Sequence, residues 1–376
     1  DESHELFRDS FRAFVAAEMT PHLEEWERAG IADRGLYSKA GSHGFCGMAI
    51  DQEHGGGGTR DFRFNAIISD ELARANAGGA GLGFTLHNDI TSPYFIEYCN
   101  DEQAARWLPG IASGELITAI AMTEPGTGSD LAAVATSAVL DGDEYVLNGA
   151  KTFITNGINS DLVIVVCKTN ADGGHGGMSL LVVERDMAGF ERGRNLDKVG
   201  QHSADTAELF FTDVRVPVAN RLGDEGRAFD YLSFNLAQER LSIGIYGFYA
   251  ARAALAWTVE YVKERTAFGQ PLAKFQNTKF ELADVATELA VTEPFMNDCL
   301  LKLNNRDLTP ADAAMAKYWG TSLQNKVLDR CLQLFGGYGY MAEYPISRAW
   351  VDARVCTIYG GTSEIMKTII SKEVLA

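Results

Sequence analysis

The sequence has no Cys-x-x-Cys pair, no His-Glu-x-x-His and no cluster of histidines with cysteines, so no metal site is expected. Its cysteines, at 46, 99, 167, 299, 331 and 356, stand apart. Several have apolar neighbours (Cys167 follows Val165 and Val166), which reads as buried, reduced thiols. Positive charge is scarce. A net charge of -18 excludes a nucleic-acid binder and argues against adsorption to anionic membranes. An anionic ligand would have to be held by local arginines and helix N-termini. Long hydrophobic runs are missing too. The most weakly charged stretch, Leu241 to Trp257, contains Arg252 and many small residues, and predicts a buried helix, not a membrane span. No signal-peptide pattern opens the chain, and no internal repeat is evident.

What is present divides into three zones, as 376 residues allow at roughly 150 residues per domain. Residues 1–118 read as a helical domain. Leu6, Phe7, Phe11, Phe14 and Val15 have helical spacing, and Asp61 to Arg74 repeats the pattern. Gly55 to Gly58 lies between them. No Gly-Lys-Ser/Thr follows it and no strand precedes it, so it reads as a surface loop and not a phosphate cradle.

Residues 119–225 change character. Ala133–Leu140, Tyr145–Leu147, Leu162–Cys167, Ser179–Val183 and Ala207–Phe211 are short and rich in β-branched or aromatic residues, with Gly/Asp turns between them. They predict a middle antiparallel β domain, a barrel or sandwich. From 226 to 376 helices return. Phe229 to Thr266 is apolar almost all round, as in a four-helix bundle. The expected class is α+β: an N-terminal α-helical domain, a middle β domain and a C-terminal four-helix-bundle domain.

Four segments could carry chemistry. Ala121 to Asp130 ends a strand in a Pro-Gly turn flanked by hydroxyls, which suits a polar heterocycle or a thioester; a hairpin loop fits it equally. Asn148 to Gly157 places Phe153 and Thr155 two apart on a strand, hence on one face, where they can pack against and hydrogen-bond a planar ring; a structural strand fits as well. Gln333 to Tyr340 follows a helix with glycines that can end it or admit a pyrophosphate. In Ile358 to Ile365 two glycines precede a hydroxyl N-cap and a new helix, a place to stabilise an anion.

In this order and on this layout, the four segments closely resemble the acyl-CoA dehydrogenase family. TEPGxGSD, K-x-[FW]-I-[TS]-N, R-x-x-FG, Q-x-x-GG-x-G and IY-x-GT all occur, and the likeness spans nearly the whole chain. The resemblance implies noncovalent FAD. It implies that Met122 and Thr123 contact the flavin ring, that Phe153 packs on it and that Thr155 reaches its N5 region. Arg265, Phe268 and Gln276 match positions that reach a neighbouring subunit's FAD. Gln333 and Gly337 match positions along the pyrophosphate, and Thr362 and Glu364 belong to the same site. Ser129 matches a position near the acyl-CoA and is implied on the cofactor side as well. Arg240, Tyr359 and Gly360 are implied on the substrate side. Where the family often has Ser or Thr in R-x-[ST]-FG, this chain has Ala267.

The family reaction needs a carboxylate at the substrate α-carbon, most often a glutamate in IYEGT. Here that position is Gly360. Glu239, in AQERL, is the candidate base: it shares a helical stripe with Leu232, Leu236, Ile243 and Tyr246. A structural, ion-paired glutamate would give the same pattern. Long-chain and isovaleryl-CoA dehydrogenases also carry the base on this earlier helix, and AQERL with IYGGT looks most like the long-chain type. The Gly360 backbone N–H is implied as an oxyanion donor. The resemblance further implies an electron-transfer flavoprotein as acceptor, a homotetramer built as a dimer of dimers, and a bacterial cytoplasmic or, in a eukaryote, mitochondrial-matrix location. The competing readings are an acyl-CoA oxidase, a flavin monooxygenase on the same fold, and a non-catalytic acyl-CoA-binding homologue.

Overall fold

The computed structural model describes residues 1–375, His175 by its backbone alone. The first zone folds as α1 (Glu2–Phe14), α2 (Leu23–Ala29), α3 (Gly35–Ser42), α4 (Arg63–Arg74), α5 (Gly78–Thr85), α6 (Ser92–Tyr98) and α7 (Asp101–Ser113). Asp1 caps α1 by accepting from the His4 N–H, and Phe11 and Phe14 turn inward while Leu6 stays exposed. The second expected helix starts at Arg63, not Asp61. Asp61 accepts from the Arg63 backbone N–H and side chain, so it stands before the helix as an anchor. Gly55 to Gly58 is a loop folded against Gly47–Ile50. Gly58 N–H donates to the Ile50 carbonyl at 2.8 Å, and a Cβ on Gly57 would lie 2.9 Å from the Met48 carbonyl oxygen.

The middle zone holds β1 (Thr118–Ala121), β2 (Ser137–Asp141), β3 (Glu144–Thr155), β4 (Leu162–Lys168), β5 (Met178–Glu184), β6 (Phe190–Asn195), β7 (Thr206–Pro217) and β8 (Arg221–Leu222). The sheet order is β6-β7-β3-β2-β4-β5-β8, with β1 paired to β4. The sheet is antiparallel as expected in all but two of its pairings. β1 runs parallel to β4 along Thr118–Ala121, and β2 meets β4 in parallel at one pair. A parallel neighbour needs a crossover, and the β2–β3 hairpin lies within the connection from β1 to β4.

β4 and β5 are buried on both faces, which explains their unbroken apolar runs. Leu162, Ile164 and Val166 pack into a core shared with α6, α7 and the segment from Ala228 to Leu236, whereas Val163, Val165 and Cys167 face the sheet's own interior.

The last zone contains α8 (Ala228–Glu264), a hairpin of β9 (Thr266–Ala267) and β10 (Gln270–Pro271), α9 (Gln276–Asn304), α10 (Pro310–Phe335), α11 (Pro345–Ala353) and α12 (Ser363–Val374). Small residues let α8 and α10 approach closely: a Cβ on Gly244 would lie 2.5 Å from the Ala316 carbonyl oxygen. The cysteines are free, and all but the half-buried Cys99 are buried. Among the described residues no group of three His, Cys, Asp or Glu could hold a metal, and no helix is long and apolar enough to cross a membrane.

A buried histidine ties the helical layer to β1. His87, in the π-helical turn Leu86–Thr91, has Nε2 3.0 Å from the Ile111 carbonyl oxygen and Nδ1 2.8 Å from the Thr118 hydroxyl. This pattern fits a neutral ring whose Nε2–H donates, and burial pushes its pKa down to about 4. Unfolding lets the ring take up a proton at its ordinary value, so stability is lost as pH falls from about 6.5 toward 4. Unfolding free energies from urea titrations at pH 7 and 4.5 should differ by about 2 kcal/mol more in wild type than in His87→Gln. An equal pH dependence in both would show that His87 is not the source.

Candidate active site

β1 delivers Met122 and Thr123 to the sheet edge, and a buried ion pair locks them there. Lys151 of β3 is fully buried; its Nζ lies 2.8 Å from Glu124 Oε1 and 3.0 Å from the Met122 carbonyl oxygen. Glu124 also accepts from the Ala135 and Thr136 N–H groups at 2.7 and 2.9 Å. Burial would push the Glu124 carboxyl up, but Lys151 and these N–H groups together hold it below its ordinary value. The Thr152 N–H donates to the Thr123 carbonyl at 2.9 Å, so the first two segments lie side by side. This clamp also delays the strand expected from Ala133. Leu131–Ala133 form a 3-10 turn and β2 begins only at Ser137.

Phe153 departs from the regular strand the sequence predicts. The β3–β7 register shifts between Lys151 and Ile154, and Phe153 adopts φ 60° with its ring 68% exposed. A bulge of this kind re-aims a side chain. Thr155 is half-buried beyond the buried Ile154, and Ser129 is exposed in the loop after Glu124.

A second group gathers at the far end of α8. The Arg265 guanidinium sits 5.1 Å from the Tyr338 ring centroid, and the Tyr261 hydroxyl donates to the Phe335 carbonyl at 3.2 Å. The β9–β10 hairpin is thereby joined to the Gln333–Tyr340 segment. Phe268, at the hairpin tip, is 96% exposed at φ 50°. Gln276 opens α9 and is exposed, as are Gln333 and Gly337, and a Cβ on Gly337 would meet nothing within 4 Å.

Glu239 lies elsewhere, on the buried side of α8. Its Oε2 has no hydrogen-bond partner, and burial raises its pKa to about 7 against the opposing pull of Arg240 and Lys317. Arg240 is half-buried with Nε unpartnered, and the Tyr94 hydroxyl, fully buried and also unpartnered, feels both charges. Three unsatisfied buried polar atoms, one of them on this carboxylate, mark a place that a polar ligand would complete.

Gly360 and Gly361 pass beside this carboxylate at φ +64° and +94°. A Cβ on Gly360 would sit 3.5 Å from Glu239 Oε1 and would strike Ile243 Cδ1. The neighbouring Tyr359 hydroxyl is 3.2 Å from Cys356 Sγ. Thr362 caps α12, accepting from the Ile365 N–H, and the exposed Glu364 stands in the first turn.

The structure therefore pairs Met122 and Thr123 with the Phe153–Thr155 strand, and Glu239 with Gly360. It keeps Arg265 far from Glu239: they are 26 positions apart, about 39 Å of helix. Glu124, Lys151, Tyr94 and Lys317 were not foreseen as parts of the site. Lys151 carried a signal, since it occupies an inward register in line with Tyr145 and Leu147. Tyr94, in an apolar run, carried none.

Family models match the chain in three stretches: acyl-CoA dehydrogenase N-terminal domain over residues 1–115, middle domain over 119–214 and C-terminal domain over 226–375. The mitochondrial long-chain specific acyl-CoA dehydrogenase of Sus scrofa is 48% identical over 375 residues, spanning 99% of this chain and 86% of the relative. The crystal structure of an acyl-CoA dehydrogenase from Geobacillus kaustophilus superposes with a TM-score of 0.96 at 47% identity, covering 100% of this chain and 98% of that one. An acyl-CoA dehydrogenase complexed with FAD from Bacillus anthracis superposes at 0.93 with 30% identity, covering 100% of this chain and 68% of the other.

Proposed function

The chain belongs to the acyl-CoA dehydrogenase family, an FAD-dependent group of oxidoreductases acting on CH–CH bonds, and on that premise we propose that it converts a long-chain acyl-CoA to the trans-2-enoyl-CoA with Glu239 as base. The observation that carries this is the Glu239 carboxylate: buried, unpartnered at Oε2, and beside a glycine turn where a second carboxylate is missing. A pKa near 7 leaves it ready to take the C2 proton at neutral pH. Bound FAD supplies the acceptor for the C3 hydride.

The exposed Phe153 and the half-buried Met122, Thr123 and Thr155 suit the ring. Gln333, the open backbone of Gly337 and the α12 N-terminus with Thr362 and Glu364 suit the rest of the cofactor. With about 39 Å of helix between Glu239 and Arg265, Arg265, together with Phe268 and Gln276, reaches the cofactor of another copy in an obligate oligomer, a dimer of dimers. The bare Phe268 ring also fits a covered position in such an assembly. Ser129, Arg240 and Tyr359 belong to the acyl-CoA side. The Gly360 N–H serves as an oxyanion donor, worth about 3–4 kcal/mol by analogy with such donors. The acceptor is an electron-transfer flavoprotein.

The test is an anaerobic panel of acyl-CoAs of graded length and branching. Flavin bleaching should be fastest with long straight chains, and the reduced protein should reoxidise slowly in air. Rapid reoxidation with stoichiometric peroxide would instead identify an oxidase.

Moving the base is a further test. A Gly360 Cβ points to the space held by Glu239 Oε1, so Glu239→Gly/Gly360→Glu should regain part of the activity lost in Glu239→Gly. Recovery should be incomplete. The +64° backbone disfavours a side chain by about 1–3 kcal/mol, and Ile243 must give way. A folded, FAD-loaded double variant no more active than Glu239→Gly would refute the shared position.

A further inference from the structure

Lys317, on α10, is fully buried at the tightest part of the α8–α10 crossing, where a Cβ on Gly244 would lie 2.9 Å from the Lys317 backbone nitrogen. A lysine there is costly. A methionine would fill similar space without desolvating a charge, and removing buried charge in favour of packed apolar groups is often neutral or stabilising. The ammonium is instead used: Nζ donates to the Gly361 carbonyl at 2.6 Å.

That carbonyl belongs to a turn with no side chain to fix it. Gly360 and Gly361 both lie in left-handed backbone regions, where glycine has more conformations to lose than any other residue. The turn nevertheless must present Gly360 beside Glu239 Oε1. The charged and titratable groups facing Lys317 come from three sides: Glu239 and Arg240 from α8, Cys356 from the 3-10 turn Arg354–Thr357, and Glu364 from α12. Glu239 forms no ion pair within 4.0 Å among the described residues, so Lys317 and Arg240 act on it through space, with Tyr94 facing it from α6.

We propose that Lys317 is a positioning residue for the dehydrogenation: its ammonium holds the Gly360–Gly361 turn, and with it a fixed cation, beside Glu239. The proposal rests on Glu239 being the base. Burial lowers the Lys317 pKa to about 8, so at neutral pH the cation is largely present while Glu239 titrates.

The experiment uses the FAD-loaded protein and two variants. Lys317→Gln keeps an N–H donor without charge, and Lys317→Met keeps neither. In both, the acid limb of the flavin-reduction rate against pH should move up by about one pH unit, the scale expected for loss of a nearby opposite charge. The protonated-carboxyl infrared band of Glu239, identified by its disappearance in Glu239→Gln, should titrate with the same shift. Lys317→Met should in addition raise KM several-fold relative to Lys317→Gln. A purely structural lysine would alter melting temperature but leave the carboxyl titration in place, and that result overturns the proposal.

The coupling is reciprocal, so a measurement without any change at Lys317 decides the case even if neither variant folds. The Lys317 side-chain carbon resonance should titrate at lower pH in Glu239→Gln than in wild type, and an unchanged titration overturns the proposal. If Glu239→Gln itself reduces flavin normally, the base assignment fails instead. If that variant is inactive but Glu239 titrates identically with and without Lys317, only the role of Lys317 falls.

Discussion

Glu239→Gln is expected to slow flavin reduction by acyl-CoA about 100-fold or more while FAD remains bound. Glutamine keeps the size and polarity of the side chain but cannot accept the C2 proton. No other described carboxylate stands at that point, because the alternative position is Gly360. The wild-type rate should rise with pH through about 7, where the raised Glu239 pKa lies. The same shift has a stability consequence of the opposite sense. An acid whose folded pKa exceeds its ordinary value of 4.5 destabilises the fold progressively as pH rises from there to about 7. Glu239→Gln should therefore gain stability relative to wild type at pH 8 but not at pH 4. Near wild-type bleaching in the variant would remove Glu239 from the reaction.

Lys151→Met should cost about 3–5 kcal/mol in urea unfolding, since it leaves the Glu124 carboxylate buried without its cation. Glu124 would keep two backbone donors, but the Met122 carbonyl would lose its partner and the Thr123 segment its anchor. FAD content should fall with stability, because Met122 and Thr123 are assigned to the ring. Lys151→Met/Glu124→Gln should recover part of the loss, since it removes both charges while the glutamine carbonyl can still accept from a backbone N–H. A Lys151→Met protein as stable as wild type would mean that water or another group already screens Glu124.

Local pattern carried much of this into the sequence. The 3.6-residue stripe around Glu239 and the unbroken apolar runs of β4 and β5 mark a buried helix face and a buried sheet. Pairings between distant residues did not show. β1 joins β4 across 40 intervening residues, and no turn signal links them, so the parallel pairing was illegible. β6, FERGRN, has one apolar anchor and four charged or polar side chains, which hides a strand. Phe153 looked like an ordinary strand residue because a bulge is a property of two strands in register, not of one. The Lys151–Glu124 and Lys317–Gly361 contacts bridge 27 and 44 residues, and only the fold brings them together.

The most direct test of the central claim is one anaerobic mixing of the FAD-loaded protein with palmitoyl-CoA, following flavin absorbance and the mass of the acyl-CoA together. The expected result is one product lighter by two hydrogens for each flavin bleached, in wild type and not in Glu239→Gln. Binding of palmitoyl-CoA with neither bleaching nor a lighter product, at every pH between 6 and 8, would contradict it.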